Sequence, residues 1–98
     1  LYGEQPTRFA LFQNYPNPFN AATTLHYDLP EPSSVKITIF DILGRTVVQL
    51  VNQKQHFGYK KIVWNGKNSA GNLVAPGIYL YKAELGSHVE MKKMVLIK

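Results

Sequence analysis

The side chains that could do chemistry are few and scattered. Three histidines, His26, His56 and His88, stand far apart in a chain without cysteine, and none has a second histidine at metal-binding spacing. A zinc site would have to be assembled by folding alone, so surface or strand-edge histidines are the expected reading. The six carboxylates are dispersed and offer no paired acid and base, and no Gly-x-Ser-x-Gly, phosphate loop or HExxH segment occurs. The chain is therefore expected to be no enzyme and to need no cofactor or metal. Asn65 to Asn72 could turn oxygens toward calcium, but it lacks a carboxylate, and turn-making explains its composition. Six tyrosines, five phenylalanines and one tryptophan could stack on sugars. Trp64, Tyr79 and Tyr81 instead fall on inferred core faces, where burial accounts for them. Phe40, opposite in parity to Ile37 and Ile39, is the best candidate for an exposed aromatic.

The elements that must position these residues are strands. Val35, Ile37 and Ile39 alternate with Lys36 and Thr38, Asp41 to Arg45 has the length of a hairpin connection, and Thr46 to Val51 runs back. Asp41 can bond the backbone ahead of it, and Gly44 can take the positive φ that closes the turn. Upstream, residues 1–13 read as a linker or an early irregular strand. In Asn14-Tyr15-Pro16-Asn17-Pro18-Phe19-Asn20 two prolines remove two backbone donors, which makes a stiff loop and excludes a central strand or helix. Its two aromatics are expected to cover one end of the core. Thr24 to Leu29 alternates with Leu25, Tyr27 and Leu29 inward. Asn52 to His56 reads as a loop, Gly58 as a turn and Tyr59 to Trp64 as a strand with Ile62 and Trp64 inward. Leu73-Val74 is a short strand at most, and Pro76-Gly77 suits a type II turn. Ile78 to Leu85 places Tyr79, Tyr81, Ala83 and Leu85 on the core face. In Val89 to Ile97 the apolar parity changes, which predicts a bulge near Lys92-Lys93. About seven strands with no helical period give an all-β fold, an immunoglobulin-like antiparallel β-sandwich over residues 14–98.

Ninety-eight residues suffice for one domain with a modest core. The absence of cysteine excludes disulfides without locating the protein, and no apolar run is long enough for a spanning helix. The chain starts at Leu1 without a start methionine or signal peptide, so it is expected to be a piece of a longer protein with any signal upstream. Residues 1–53 hold three basic and four acidic groups, residues 54–98 eight basic and two acidic. These lysines are scattered through strands without an Arg-rich cluster, so no nucleic acid partner is expected, and edge protection is the simpler role.

Taken in order, Asn14 to Asn20, Tyr27-Asp28-Leu29-Pro30, Asp41-Ile42-Leu43-Gly44-Arg45, Gly58, Trp64-Asn65-Gly66, Gly71, Pro76 to Tyr81 and the closing Lys93 to Lys98 resemble the type A C-terminal sorting domain of the type IX (Por) secretion system. The related immunoglobulin-like domain of flagellar hook-capping proteins shares several of these pieces. Ala21 stands where many relatives have proline, and Asn65 and Asn68 replace residues often aspartate.

The resemblance implies a non-catalytic sorting signal at the end of a larger secreted protein from a Bacteroidetes-type bacterium. Such a protein reaches the cell surface or medium by way of the periplasm. The implied partners are the type IX translocon, a sortase-like peptidase, an upstream cargo domain and anionic lipopolysaccharide. By matching position, translocon recognition would fall on Pro16, Asn17, Pro18, Gly44, Arg45, Gly58, Gly86, Lys92, Lys93 and Lys98, and cleavage within residues 1–12. A terminal edge strand with unpaired backbone groups could be read by strand addition. The alternative is a surface binding, adhesion or self-assembly module for polysaccharide or protein.

Overall fold

A computed structural model of the chain describes residues 5–97. It contains seven strands: β1 (Ala10–Leu11), β2 (Thr23–Leu29), β3 (Ser33–Asp41), β4 (Thr46–Gln55), β5 (Gly58–Trp64), β6 (Gly77–Leu85) and β7 (His88–Leu96). They form a three-stranded sheet, β1-β2-β5, and a four-stranded sheet, β4-β3-β6-β7, with every pairing antiparallel. This is the expected all-β, immunoglobulin-like sandwich.

The alternation read in the sequence decides which side chains meet between the sheets. Leu25, Tyr27 and Leu29 of β2 and Trp64 of β5 face Val35, Ile37 and Ile39 of β3, Tyr79, Tyr81, Ala83 and Leu85 of β6, and Met94 and Leu96 of β7, all buried. Trp64 sits at one end of this layer. Its ring is 5.7 Å from Phe19 and 5.4 Å from Tyr79, the latter edge-on, and its indole N–H donates to the Lys67 carbonyl at 2.9 Å.

Several boundaries differ from the sequence reading. The sheet begins ahead of Asn14, because β1 pairs Ala10 and Leu11 with Asp28 and Tyr27 and buries Leu11. Asn52 to Gln55 continue β4 as partners of Lys36 to Ser33, so only His56 and Phe57 connect it to β5. Backbone pairing holds this polar run in the sheet, and Gln55 also accepts a 2.6 Å bond from the Tyr27 hydroxyl.

The bulge expected in β7 is absent. Register with β6 runs unbroken from Gly77↔Leu96 to Leu85↔His88, and the irregularities lie between β3 and β4 instead. The even residues of β7 keep one parity throughout: Met94 and Leu96 are buried, while His88, Glu90 and Lys92 are only half-buried. On this half the inward positions are polar: His88 stacks on Phe9 and Glu90 pairs with His88 and Lys92, while Val89 and Met91 point outward. Phe40 is half-buried rather than exposed, because it lies opposite Leu80 on β6. Of the two loop aromatics, Phe19 is buried, but Tyr15 is 76% exposed.

Candidate functional site

The residues expected to act together gather best where the Asn-Pro loop meets the end of β7. Asn14 builds the loop from inside. Its side-chain amide donates to the Pro16 carbonyl at 3.1 Å and the Thr23 hydroxyl at 3.0 Å, while the Thr23 hydroxyl donates to the same carbonyl at 2.8 Å. The Asn14 backbone N–H donates to the Tyr81 hydroxyl at 2.8 Å, and that hydroxyl donates to the Phe12 carbonyl at 2.9 Å. Burial pushes the Tyr81 phenol up to about 12, the nearby Glu90 charge adds to this, and the Asn14 N–H opposes it. Tyr81 is thus a neutral hydroxyl that ties β6 to the loop at both of its hydrogen-bonding functions. Both Tyr15-Pro16 and Asn17-Pro18 are cis.

The loop so shaped closes the outer edge of β7. Gln13 donates its side-chain amide to the Lys93 carbonyl at 2.8 Å, and the Val95 N–H donates to the Asn17 side chain at 3.0 Å. The Phe19 N–H donates to the Val95 carbonyl and the Ile97 N–H donates to the Phe19 carbonyl, each at 2.9 Å, a short parallel bridge. The terminal strand is therefore not the unpaired edge expected for strand addition. From Lys93 to Ile97 its outward backbone groups already bond the loop, and the side chains that remain exposed on the first half are Val89 and Met91.

The other expected residues are divided between the two ends of the sandwich. At the loop end, the Asp41 carboxylate accepts from the Leu43 N–H at 2.9 Å, the Arg45 N–H at 3.0 Å and Arg45 Nε at 2.8 Å. The Arg45 backbone N–H and side chain beside it hold its carboxyl below the usual value. Gly44 takes φ +82°, and the Arg45 side chain is largely exposed. Gly58 and Gly86 lie at the opposite end, with Gly58 paired to Leu29 and the Gly86 N–H donating to the Ser34 carbonyl. At Gly86, φ is +61° and a Cβ would sit 3.3 Å from the Phe9 ring. Lys92 and Lys93 alternate across the sheet: Lys92 reaches Glu90 at 3.4 Å, and Lys93 is exposed. Lys98 lies outside the described residues. One continuous recognition patch over all these positions is not what the fold builds; Pro16, Asn17, Pro18 and Lys93 to Ile97 do form one surface.

The Asn65 to Asn72 turn uses its oxygens internally. The Asn68 side chain accepts from the N–H groups of Ala70 and Asn72, each at 3.0 Å, and Asn65 accepts from Lys67 at 3.2 Å. His26 lies on the outer face of β2, His56 in the β4–β5 connection, and His88 stacks on Phe9 with its ring 6.0 Å away.

Ala21, where the Asn-Pro loop passes into β2, has φ +78°, and its carbonyl is 3.3 Å from where a Cβ on Gly66 would stand. A proline ring fixes φ near −65°, so this backbone conformation excludes the proline that the sorting-domain resemblance would place there. Ala21→Pro is expected to cost more than about 1 kcal/mol and to lower the thermal midpoint, whereas Ala21→Gly leaves it equal or higher. Calorimetry of both variants checks the sign.

The geometry defines a small immunoglobulin-like sandwich whose conspicuous feature is a proline loop locked to its last strand. Residues 18–88 match the FlgD Ig-like domain, and the chain belongs to that family. No curated protein sequence matches it. Among solved structures, the fold is similar to dimeric latent PorU from Porphyromonas gingivalis, with TM-score 0.73 and 22% identity over 89% of this chain and 9% of that one. It is also similar to PorZ of the same organism, described as an essential bacterial surface component of the type-IX secretion system, with TM-score 0.62 and 20% identity over 91% of this chain and 12% of that one. FLGD from P. aeruginosa matches with TM-score 0.59 and 27% identity over 76% of this chain and 58% of that one. The chain thus spans a small part of PorU and PorZ and somewhat more than half of that FLGD chain.

Proposed function

We propose that this domain is a non-catalytic sorting signal that directs a larger protein through the type IX outer-membrane translocon to the cell surface or medium. The observation that carries the reading is the lock between Pro16-Asn17-Pro18-Phe19 and residues 93–97, which brings the two most distinctive ends of the sorting-domain resemblance into one rigid surface. The likeness to PorZ in fold is compatible with the same secretion system. Recognition in this reading is of a folded shape, with Arg45 and Lys93 exposed at its margin, and not of an extended peptide. A sortase-like peptidase, an upstream cargo domain and anionic lipopolysaccharide complete the set of proposed partners.

The test is a fusion of residues 1–98 to the C-terminus of a periplasmically exported fluorescent protein in a type IX-competent host. Fluorescence should reach the surface or medium, and a translocon-deficient strain should retain it in the periplasm. Retention in both strains with a folded tail would overturn the sorting reading.

A further inference from the structure

On the outer face of the four-stranded sheet the pairing register lays out a row of lysines, one to a strand. Lys36 of β3 stands opposite Asn52 of β4 and Glu84 of β6, so Lys54 and Lys82 are its diagonal neighbours on the two flanking strands. Lys82 in turn stands opposite Met91 of β7, with Lys93 its diagonal neighbour. All four have the parity opposite to the buried Ile37, Val51, Tyr81 and Met94 of their strands and therefore point away from the core. Each diagonal step is roughly 7–8 Å, so the row crosses the whole sheet. Protection of a sheet edge accounts for Lys54 and Lys93 on the outer strands, but not for Lys36 and Lys82, because β3 and β6 are central. Among the described residues of these four strands, Glu84 is the one carboxylate with the same outward parity, and it stands opposite Lys36. The face is therefore cationic.

The rest of this face is largely apolar. Toward the loop end Ile78 lies opposite Val95 and Leu80 opposite Phe40, with Ile97 beyond; Ile78 is 45% and Ile97 56% exposed. On the other flank of the row Val89 and Met91 are 56% and 51% exposed. This mixture selects among partners. A polyanion in solution would neutralise the amines and leave these side chains in water, whereas an uncharged apolar surface would bury the amines without a counter-charge. Among the described residues the exposed aromatics, Phe12, Tyr15, Phe57 and Tyr59, lie on other elements, so the face offers no exposed ring on which bases could stack. An anionic bilayer supplies phosphates at headgroup level and an apolar layer beneath them, and lysine stems can lie along apolar surface while their amines reach the phosphates.

We propose that the outer face of the four-stranded sheet docks on an anionic phospholipid bilayer, the row of lysines facing lipid phosphates and Ile78, Val89, Met91 and Ile97 entering the headgroup boundary. The proposal does not rest on the secretion reading.

Co-sedimentation of the whole 98-residue chain with vesicles in about 0.15 M salt tests it. Vesicles of mixed phosphatidylglycerol and phosphatidylcholine should bind the chain, and vesicles of phosphatidylcholine alone should bind it at least about tenfold more weakly. The double variant Lys54→Gln with Lys82→Gln should weaken binding at least about tenfold, and Ile78→Ser and Met91→Ser should each weaken it several-fold, with thermal midpoints unchanged. Arginine at both lysine positions should retain binding, and Lys61→Gln on the other sheet should have no effect. Raising the salt to about 0.5 M should release the unmodified chain, a measurement that needs no variant to fold. Equal binding to phosphatidylcholine alone, no binding to the anionic vesicles, indifference to the lysine pair or to salt, or oligothymidylate bound as strongly as the vesicles would each overturn the proposal.

Discussion

Trp64→Ala is expected to remove about 3–5 kcal/mol of stability, the range for deleting a large aromatic from a packed core. The cause is specific to its place. The indole fills the end of the sandwich between Phe19 and Tyr79, and its N–H satisfies the Lys67 carbonyl at the start of the Asn65 to Asn72 turn. Removing it opens a cavity beneath the Asn-Pro loop and leaves that carbonyl without its partner. A domain of this size shifts its thermal midpoint by roughly 4–8 °C per kcal/mol, and total stabilities run to only about 5–15 kcal/mol, so the variant should melt at least about 12 °C lower or be largely unfolded at 37 °C. Trp64→Phe keeps most of the volume and loses the hydrogen bond, so calorimetry of the pair separates packing from the turn contact. A midpoint unchanged in Trp64→Ala would mean that the loop end of the sandwich is not held by its aromatic cluster.

What could be read in the sequence followed physical locality. Val35 to Ile39 and Thr24 to Leu29 are buried on one face and paired along their length, so side-chain alternation and strand coincide. The same rule failed for β7, where Met94 and Leu96 obey it but the inward positions before them are polar His88, Glu90 and Lys92, and apolar Val89 and Met91 point outward. It failed again at Asn52 to Gln55, where the strand persists through backbone pairing without an apolar signal. For the candidate surface, the stiff shape of Pro16 to Pro18 was legible from fixed φ angles and missing donors. Its partner was not, since the bonds from Gln13 to Lys93 and from Val95 to Asn17 span 80 and 78 residues. A weak clue was available: a proline-rich loop with few donors leaves carbonyls and side-chain oxygens seeking an edge strand. The exposure of Phe12 and Tyr59 was missed for a similar reason. Parity singled out Phe40, while Phe12 and Tyr59 become neighbours of His26 and Asp28 only through the β1-β2-β5 order.

Deleting residues 95–98 is the second change with a large expected effect, and the lock alters what it means. The truncation removes Leu96 from the core together with the Phe19 bridge and the bond to Asn17, and it shortens the β6–β7 ladder by the pairs at Gly77 and Ile78. Loss of one buried leucine costs about 2–5 kcal/mol and each hydrogen bond about 0.5–1.5 kcal/mol. The truncated domain should therefore be substantially unfolded, and export of a fused reporter should fail for that reason alone. Asn17→Ala divides the two causes, since it removes one bond to the Val95 N–H, about 1 kcal/mol, and leaves Leu96 in place. Lys93→Gln removes an exposed charge and no packing. If the translocon reads the locked fold, export should fall in step with the measured midpoint, abolished by truncation, modestly reduced by Asn17→Ala and retained in Lys93→Gln. If it reads the terminal charges, Lys93→Gln should fail while melting like the parent domain.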